Sequence, residues 1–384
     1  MTNCQIRTAS LIGLAVLWFI QTRLELFPQE VQLFSRLSGI RIMKKETPLY
    51  LLLSLLFVVL TTAGCGEGAH ERSAKRMPEG CAESSLVHDG LTRWYRICLP
   101  DKLPEQAPLV LYLHGGTLSM RSLFSPLADS SATWFSLAEE HGIVLLVPNG
   151  VNPETGETYG DDQVWNDLRP DQASGQSQAD DVGFLSALLD RVIAEYPIDP
   201  ERIFITGASN GGMMTYRMLV ETPEHFRAGA AFIANLPDIG VPFPQPPAPV
   251  PIMIANGTED PLMPYDGGSV AKDRGVVIST RQTVDWWVQA NHADPNQMDS
   301  RTLPDIDASD KCLIHEEFYP PGEDGAAVMF YRVEGGGHTL PSRESTGLFT
   351  RLMSRLLGPV CRDADGPSLV WEFFSEVSEG SIPD

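Results

Sequence analysis

The chain has 384 residues, 43% of them hydrophobic, so it can bury a sizeable core in one large domain or two ordinary ones. Its formal net charge is −22, and no stretch interleaves Lys or Arg with aromatic residues, which excludes a basic surface for nucleic acid or anionic lipid. An acidic soluble enzyme is the simplest class that remains.

The first distinctive segment has the layout of a secretory signal peptide. Residues 43–64 contain two lysines, an apolar run and small residues before Cys65. The apolar run, from Pro48 to Leu60, is short for a membrane span. Because a signal peptide begins a chain, residues 1–42 are expected to be a mis-assigned extension. A plain signal peptide cut nearby and an uncut membrane anchor are the alternatives.

The end of this segment, Thr62-Ala63-Gly64-Cys65, resembles a bacterial lipobox, with Thr62 where leucine is usual. The resemblance implies cleavage before Cys65 and lipidation of its sulfur. Residues 65–80 are then the lipidated cysteine and a small, charged tether, and residues 81–384 are the catalytic domain. The protein is expected to be exported, either anchored to a membrane or extracellular.

Four further cysteines follow: Cys81, Cys98, Cys312 and Cys361. An even number in an oxidising compartment predicts two disulfides. The stretch between the first two alternates on both sides of a His-Asp-Gly turn, which places Cys81 opposite Cys98 across a hairpin and leaves Cys312 for Cys361. Buried free thiols are the alternative.

Strand and helix patterns alternate through the rest of the chain. Apolar runs typical of strands are RWYRICLP, PLVLYLHG, GIVLLVPNG, RIFITG, AGAAFIA, VPIMIANG and AAVMFYRVE. Helical spacing occurs in ATWFSLAEEHG, ADDVGFLSALLDRVIAEY, GGMMTYRMLVE and TRQTVDWWVQANH, with Asp180 as a predicted N-cap. The alternation predicts an α/β fold, a mostly parallel sheet with helices on both faces. The polar stretch 152–179 lacks periodicity and is predicted to be a functional or mobile loop.

The segment TGASNGGMMTY, residues 206–216, lies between a strand pattern and a helix pattern. Its first part fits G-x-S-x-G, the nucleophile elbow of α/β-hydrolases, with Ser209 at the centre. A serine hydroxyl is a weak nucleophile unless a base lies beside it and donors await the oxyanion, so it has to be held at a tight, exposed turn. Ser209 is therefore the candidate nucleophile, and an ordinary glycine-rich turn is the alternative.

In the α/β-hydrolase order the acid and the histidine follow the serine, each on a loop after a strand. His338, in GGGHTLP, follows such a strand and is the candidate base, whereas His292 lies in a helical pattern and His315 among charged residues. A surface histidine in a glycine turn is the alternative. Asp260, in NGTEDPLMPY, is the candidate acid that fixes the histidine tautomer, with Glu259 as its rival.

The remaining parts of the site are an oxyanion hole and an acyl pocket. The LHGGT segment ends an early strand, so the backbone N–H of Gly116 or Thr117 is expected to complete the hole with that of Asn210. His114 is interpreted as structural. Trp165 in VWND is the candidate substrate-binding residue, with packing of the loop as the alternative. No Cys, His or Asp cluster has metal spacing, so no metal is expected.

A longer series of motifs resembles one family. In order, LYLHGG, VPNG, VWND, DDVGFLSALLD, IDPERIFITGASNGGMMTYRM, NGTEDPLMPYDGG, GGGHTLP and WEFF are similar to the extracellular esterases that include polyhydroxybutyrate depolymerases, feruloyl esterases and related polysaccharide esterases. The resemblance covers roughly residues 85–378. It implies an α/β-hydrolase fold and carboxylic ester hydrolysis through Ser209, Asp260 and His338, without a cofactor.

Three departures from that family bear on the substrate. Leu340 stands where a tryptophan often follows the catalytic His-Thr. Ala293 stands where a cysteine often follows the WW helix, which implies that Cys312 has changed partner. The chain ends soon after WEFF, so no separate polymer- or carbohydrate-binding domain is expected. We therefore expect small or oligomeric esters of the feruloyl, acetyl or hydroxyalkanoate type, no nucleic-acid partner, and membrane contact only through the lipid anchor.

Three other functions remain open at this stage. The first is a polyhydroxybutyrate depolymerase. The second is a serine peptidase of the prolyl-oligopeptidase type, which shares the order of serine, acid and histidine but usually carries a large extra domain that this chain cannot house. The third is a non-catalytic binding lipoprotein, which predicts the loss of a triad residue, and none is lost.

Overall fold

Twelve strands belong to the described part of the chain, ten of them in one sheet. The computed structural model describes residues 77–124, 129–169, 177–271, 273–343 and 354–381, so the predicted leader, the lipobox and most of the tether lie outside the described residues. In chain order the strands are β1 (Cys81–His88), β2 (Leu91–Cys98), β3 (Ala107–Leu113), β4 (Val144–Pro148), β5 (Ile198–Ala208), β6 (Ala228–Phe232), β7 (Ile252–Gly257), β8 (Gly268–Ser269), β9 (Val276–Val277), β10 (Asp299–Thr302), β11 (Leu313–Tyr319) and β12 (Val328–Glu334).

The main sheet has the order β1-β2-β4-β3-β5-β6-β7-β12-β11-β10, and β8 pairs with β9 separately. Its six middle strands, from β4 to β12, run parallel. The two strands at each end run antiparallel. Every residue of β4, β6 and β7 is buried, as expected for strands covered on both faces.

The long helices within the described ranges are α1 (Asp129–His141), α2 (Asp181–Glu195), α3 (Asn210–Glu221), α4 (Thr280–Ala290) and α5 (Gly366–Ser378). Asp180 caps α2 by accepting the backbone N–H of Gly183 at 3.0 Å, as predicted. Ser279 and Gln282 form a capping box at the start of α4. None of the helices in the described ranges combines the length and apolarity that a membrane crossing requires.

The core is divided by the sheet into two clusters. One face packs against α2, α3 and α4, which bury Met214 and Trp287, and the other packs against α1 and α5, which bury Trp134 and Phe374. Alternate residues of β3 join one cluster or the other, because successive side chains of a strand point to opposite faces. The predicted α/β architecture, a mostly parallel sheet with helices on both faces, is therefore confirmed.

Two disulfides fix the ends of the domain. Cys81 lies directly opposite Cys98 in the β1–β2 hairpin and is bonded to it. Cys312, just before β11, is bonded to Cys361, just before α5. These are the two pairings predicted from the sequence, and such bonds persist in oxidising compartments. The Gly80 carbonyl, just before β1, accepts the N–H of Leu99 at 3.0 Å, just after β2.

Candidate active site

Ser209 lies in the sharp turn between β5 and α3. Its backbone has φ 57° and ψ −124°, a left-handed conformation that costs a non-glycine residue free energy. Both flanking glycines are needed for this turn. A methyl group on Gly207 would overlap the carbonyl group of Gly211, and one on Gly211 would overlap that of Leu113. The predicted strand, elbow and helix are therefore all present, at the carboxyl end of a central parallel strand.

Asp260 and His338 form a hydrogen-bonded pair on two neighbouring loops. Asp260 follows β7 and His338 follows β12, and these strands are paired in parallel. The distance from His338 Nδ1 to Asp260 Oδ2 is 2.7 Å, and Asp260 Oδ1 accepts the backbone N–H groups of Leu262 and Met263. When Nδ1 donates its proton to a carboxylate, Nε2 is left as an acceptor, which is the form that a general base requires.

The rival residues from the sequence lie elsewhere. Glu259 is exposed, so the carboxylate that contacts the imidazole is that of its neighbour, Asp260. The ring of His315 lies on β11, where Nε2 contacts the Glu334 carboxylate at 3.0 Å. His292 lies just beyond the end of α4.

Ser209 and His338 lie at the same edge of the sheet, because β5, β6, β7 and β12 are successive parallel neighbours. In the described part of the chain no hydrogen bond joins the Ser209 hydroxyl to the imidazole, and this hydroxyl does not cap α3. Catalytic hydrogen bonds are often long before substrate binds, so this geometry is compatible with a nucleophile and its base.

The loop that carries His338 rests on the segment 357–361. Backbone N–H groups of residues 337–342 donate three hydrogen bonds to carbonyl groups of that segment, the last of them to Cys361 at 2.8 Å. Because Cys361 is bonded to Cys312, the second disulfide connects this support to the start of β11. The loop of the imidazole is therefore hydrogen-bonded to a segment that is covalently linked to the start of β11.

Gly116 and Asn210 face each other beside the nucleophile turn, since a methyl group on Gly116 would lie 3.3 Å from Asn210 Cβ. Asn210 is the first residue of α3, so its N–H has no partner within the helix. The N–H of Thr117 donates to the carbonyl of Gln163 at 2.8 Å and is therefore already used. The sequence predicted Gly116 or Thr117 as the second donor to the oxyanion. Of these two, Gly116 has the available N–H group, which bonds to no described residue.

Trp165 corrects the interpretation of the VWND motif. Its side chain is fully buried, Nε1 donates to the carbonyl of His114 at 2.9 Å, and the two rings are 4.9 Å apart. With no face of the indole exposed, Trp165 does not form a wall for an acyl group in this structure. It packs its loop against the domain, which was the alternative.

His114 is buried and uses both ring nitrogens. Nδ1 donates to the carbonyl of Gly115 at 2.8 Å, and Nε2 accepts the N–H of Gly150 at 3.1 Å. Burial lowers the pKa of His114 to about 4, because the charged form would lose its hydration. The imidazole is therefore neutral near pH 7 and holds two loops together. This agrees with the interpretation of His114 as a structural residue.

Leu118 is an exposed apolar residue beside Ser209, and no sequence motif points to it. The residue is 48% exposed. A methyl group added to Gly115 would lie 3.5 Å from Leu118 Cδ1 and 3.7 Å from Ser209 Cβ, so both side chains border the same small region. A single exposed leucine in a loop gives no signal in a sequence, because such residues are common on protein surfaces.

Within the described ranges, one group of side chains has the proximity that a metal site requires: Cys312, Cys361 and Asp363. The two cysteines are joined in a disulfide, so they offer no thiolate ligand.

A mostly parallel α/β sheet, a serine at a strand-to-helix elbow and a later histidine–aspartate pair define the class: the protein is an α/β-hydrolase. Residues 131–235 match the sequence model of the prolyl oligopeptidase family. The relative NocK from Nocardia uniformis subsp. tsuyamanensis, an esterase by its name, is 30% identical over 268 residues, which cover 67% of this chain and 73% of NocK. The chain belongs to this esterase family of α/β-hydrolases and is a carboxylic ester hydrolase.

Two relatives with shorter matches carry the names of enzymes with different ester substrates. Feruloyl esterase B from Neurospora crassa is 31% identical over 136 residues, covering 35% of this chain and 41% of the relative. Poly(3-hydroxyalkanoate) depolymerase C from Paucimonas lemoignei is 31% identical over 140 residues, covering 36% of this chain and 30% of the relative. This chain spans less than half the length of each of these two proteins.

Proposed function

We propose that the esterase acts through Ser209 as nucleophile, His338 as general base and Asp260 as the residue that orients the histidine. The observation that carries the proposal is the 2.7 Å hydrogen bond between His338 Nδ1 and Asp260 Oδ2, at the sheet edge that also bears the Ser209 elbow. The backbone N–H groups of Asn210 and Gly116 form the oxyanion hole. Thr117, the other predicted donor, is held by Gln163.

The reaction has two half-reactions. Ser209 Oγ bonds to the ester carbonyl carbon while its proton passes to His338 Nε2, and the oxyanion is stabilised by the two N–H groups. When the ester C–O bond breaks, His338 gives the proton to the departing alcohol. Water then attacks the acyl-enzyme in the same way and releases the carboxylic acid. Asp260 keeps the imidazole in position and stabilises the imidazolium that forms at each step.

The triad is tested by Ser209→Ala, which should reduce kcat by several orders of magnitude with an unchanged melting temperature, because triad residues act as a unit. Ser269→Ala, at an exposed serine of β8, is the matched control and should keep full activity. A p-nitrophenyl alkylphosphonate should label the peptide that contains Ser209, as read by mass spectrometry. Full activity of Ser209→Ala would overturn the assignment.

The proposed substrates are small or oligomeric esters of the feruloyl, acetyl or hydroxyalkanoate type. Two relatives are, by name, a feruloyl esterase and a poly(3-hydroxyalkanoate) depolymerase. Leu340, two residues after His338, packs on the start of α5, since a methyl group on Gly366 would lie 3.2 Å from Leu340 Cβ. That position therefore offers no aromatic face to a polymer, which favours small, diffusing esters over an insoluble polyester.

Equal concentrations of the enzyme on methyl ferulate, p-nitrophenyl acetate, hydroxybutyrate oligomers and a polyhydroxybutyrate film test this inference. We expect hydrolysis of the soluble esters and slow clearing of the film. Rapid clearing with no ferulate release would instead identify a depolymerase.

Proline-containing peptide p-nitroanilides belong in the same series, because part of the chain matches the prolyl oligopeptidase family. We expect no cleavage of them.

Export with a lipid anchor at Cys65 is the proposed localisation. The two disulfides support an oxidising compartment, and the sequence before Cys65 has the signal-peptide layout. Cys65→Ser should release the protein from membranes, whereas Thr62→Leu, which restores the usual lipobox residue, should leave it anchored. An intact mass of the membrane-extracted protein without a diacylglyceryl group would contradict the anchor.

A further inference from the structure

The two sides of the proposed oxyanion hole come from separate parts of the chain. One side is the loop 114–116 after β3, which carries the Gly116 N–H, and the other is Asn210 at the start of α3. Between them lies a third segment, residues 165–167, here called the bridging segment. Its hydrogen bonds reach both sides.

On the first side, the bridging segment holds the carbonyl of His114. Trp165 Nε1 donates to this carbonyl at 2.9 Å, and the indole packs against the imidazole with ring centroids 4.9 Å apart. The carbonyl lies two residues before Gly116. Because both Trp165 and His114 are buried, water cannot replace this hydrogen bond.

On the second side, the bridging segment holds the side-chain amide of Asn210. Asn210 Oδ1 accepts the N–H of Trp165 at 2.7 Å, and Nδ2 donates to the carbonyl of Trp165 at 3.0 Å and to Asp167 Oδ2 at 2.6 Å. Three hydrogen bonds leave this amide no freedom to rotate. The same side chain packs against Gly116, so it also sets how closely the two sides approach.

The bridging segment is itself fixed to rigid elements. Asp167 forms a buried ion pair with Arg169, Nη2 to Oδ2 at 2.7 Å. The N–H of Asn166 donates to Asp181 Oδ2 at 2.7 Å, and Asp181, in α2, is buried and paired with Arg93 of β2. Through Asn166 the segment is therefore held by α2 and β2, and the Asp167–Arg169 pair adds a buried contact within its own loop.

We propose that Trp165 and Asp167 are positioning residues that fix the separation of the two oxyanion donors, the N–H groups of Gly116 and Asn210. This inference rests on the proposed function. A negative charge on the carbonyl oxygen develops only in the transition state, so a misplaced donor lowers kcat and leaves KM nearly unchanged. Loss of one oxyanion donor costs about 100- to 1000-fold in kcat, and a displaced donor should cost less, about 10- to 100-fold.

The test is Trp165→Phe in the full-length protein, which removes the indole N–H and keeps most of the ring. The matched control is Trp287→Phe in α4, since Trp287 is equally buried and its Nε1 has no hydrogen-bond partner among the described residues. We measure kcat and KM on p-nitrophenyl acetate, the inhibition constant of an alkyl trifluoromethyl ketone, whose serine adduct carries an oxyanion, and the fraction of enzyme labelled by the phosphonate.

For Trp165→Phe we expect complete labelling, kcat lower by about 10- to 100-fold, a similar rise in the ketone inhibition constant and an unchanged KM. The control should change none of these four quantities. An unchanged kcat in a fully labelled Trp165→Phe enzyme would overturn the inference. A wild-type enzyme in which the phosphonate does not label Ser209 would instead overturn the proposed function, so the two failures are distinguishable.

If Trp165→Phe does not fold, as judged by its melting curve, Asp167→Asn and Asp167→Ala decide the question. Asparagine keeps an oxygen that can accept from Asn210 Nδ2, whereas alanine removes one of the two acceptors of this amide and leaves only the Trp165 carbonyl. We expect a larger loss of kcat for alanine, with partial rescue by asparagine and the same KM for both. Equal kcat values for the two variants, both at the wild-type level, would contradict a positioning role.

Discussion

Gly257 and Gly336 are packed so closely that a methyl group on Gly257 would overlap the carbonyl group of Gly336. Gly257 is the last residue of β7, just before the loop of Asp260, and Gly336 precedes His338 by two residues. The two loops are joined further by the Glu259 N–H, which donates to the Gly336 carbonyl at 2.8 Å. The acid and the histidine are therefore positioned as one unit.

Gly257→Ala should separate these loops and lower kcat by about 100-fold or more, because a misplacement of about 1 Å has effects of that size. The measurement is kcat per phosphonate-labelled site. Gly240→Ala is the control, since Gly240 has open space around it and belongs to neither of these two loops. It should lose about 1 kcal/mol of stability through its left-handed backbone and keep its kcat.

The two disulfides should have different effects on activity. Replacing Cys312 and Cys361 by alanine removes a link across 49 residues and should lower stability by about 4 kcal/mol, and kcat should also fall because the support of the His338 loop is loosened. Replacing Cys81 and Cys98 removes a link across 17 residues and should cost about 3 kcal/mol. Below its melting temperature this second variant should keep its kcat. Equal kcat losses would contradict a specific role for the Cys312–Cys361 bond.

Acid should destabilise the protein through His114. Its pKa is about 4 in the folded protein and 6.5 in the unfolded chain, so the unfolded chain binds more protons between these values. The stabilisation is complete above pH 6.5 and is lost as the pH falls to 4, with a total of about 3 kcal/mol. Urea unfolding of wild type and His114→Gln across this range measures the difference. The variant should show a shallower pH dependence, and parallel curves would contradict the assignment.

Leu118 should influence acyl-chain preference, because it is exposed beside Ser209. Leu118→Ala should lower kcat/KM for p-nitrophenyl butyrate by about 5- to 20-fold and affect the acetate less, as expected from the loss of an apolar contact worth 1–2 kcal/mol. Val87→Ala, at an exposed residue of β1, should change neither value. An unaltered ratio of butyrate to acetate in Leu118→Ala would place the acyl chain elsewhere.

Local patterns predicted the central part of the fold. The elbow at Ser209 could be recognised because its glycines, its strand and its helix are adjacent in sequence. The β10–β11 end of the sheet was missed: all four residues of β10 are exposed, so it has no apolar pattern, and it is a strand only because it pairs with β11. The helix α5 was also missed. It contains the WEFF motif, which indicated the family but was not recognised as part of a helical pattern.

The sequence could not predict which side chains reach each other across long separations. Trp165 contacts Asn210 and His114, which are 45 and 51 residues away. Asp167 contacts Asn210 across 43 residues, and no motif records such distances. The choice between Gly116 and Thr117 likewise depends on the carbonyl of Gln163, which accepts the Thr117 N–H. Buried polar networks of this kind are properties of the folded chain.

The parallel middle of the sheet places the proposed triad at one edge, where the strands end, and away from the edge where the strands begin. Ser209, Asp260 and His338 all follow the carboxyl ends of strands, whereas Glu201, near the start of β5, and Asp324, before β12, are exposed at the amino ends. A support or a tag attached through Glu201 or Asp324 would therefore leave the proposed triad directed away from the attachment surface. The orientation of the immobilised enzyme can be chosen from strand direction alone.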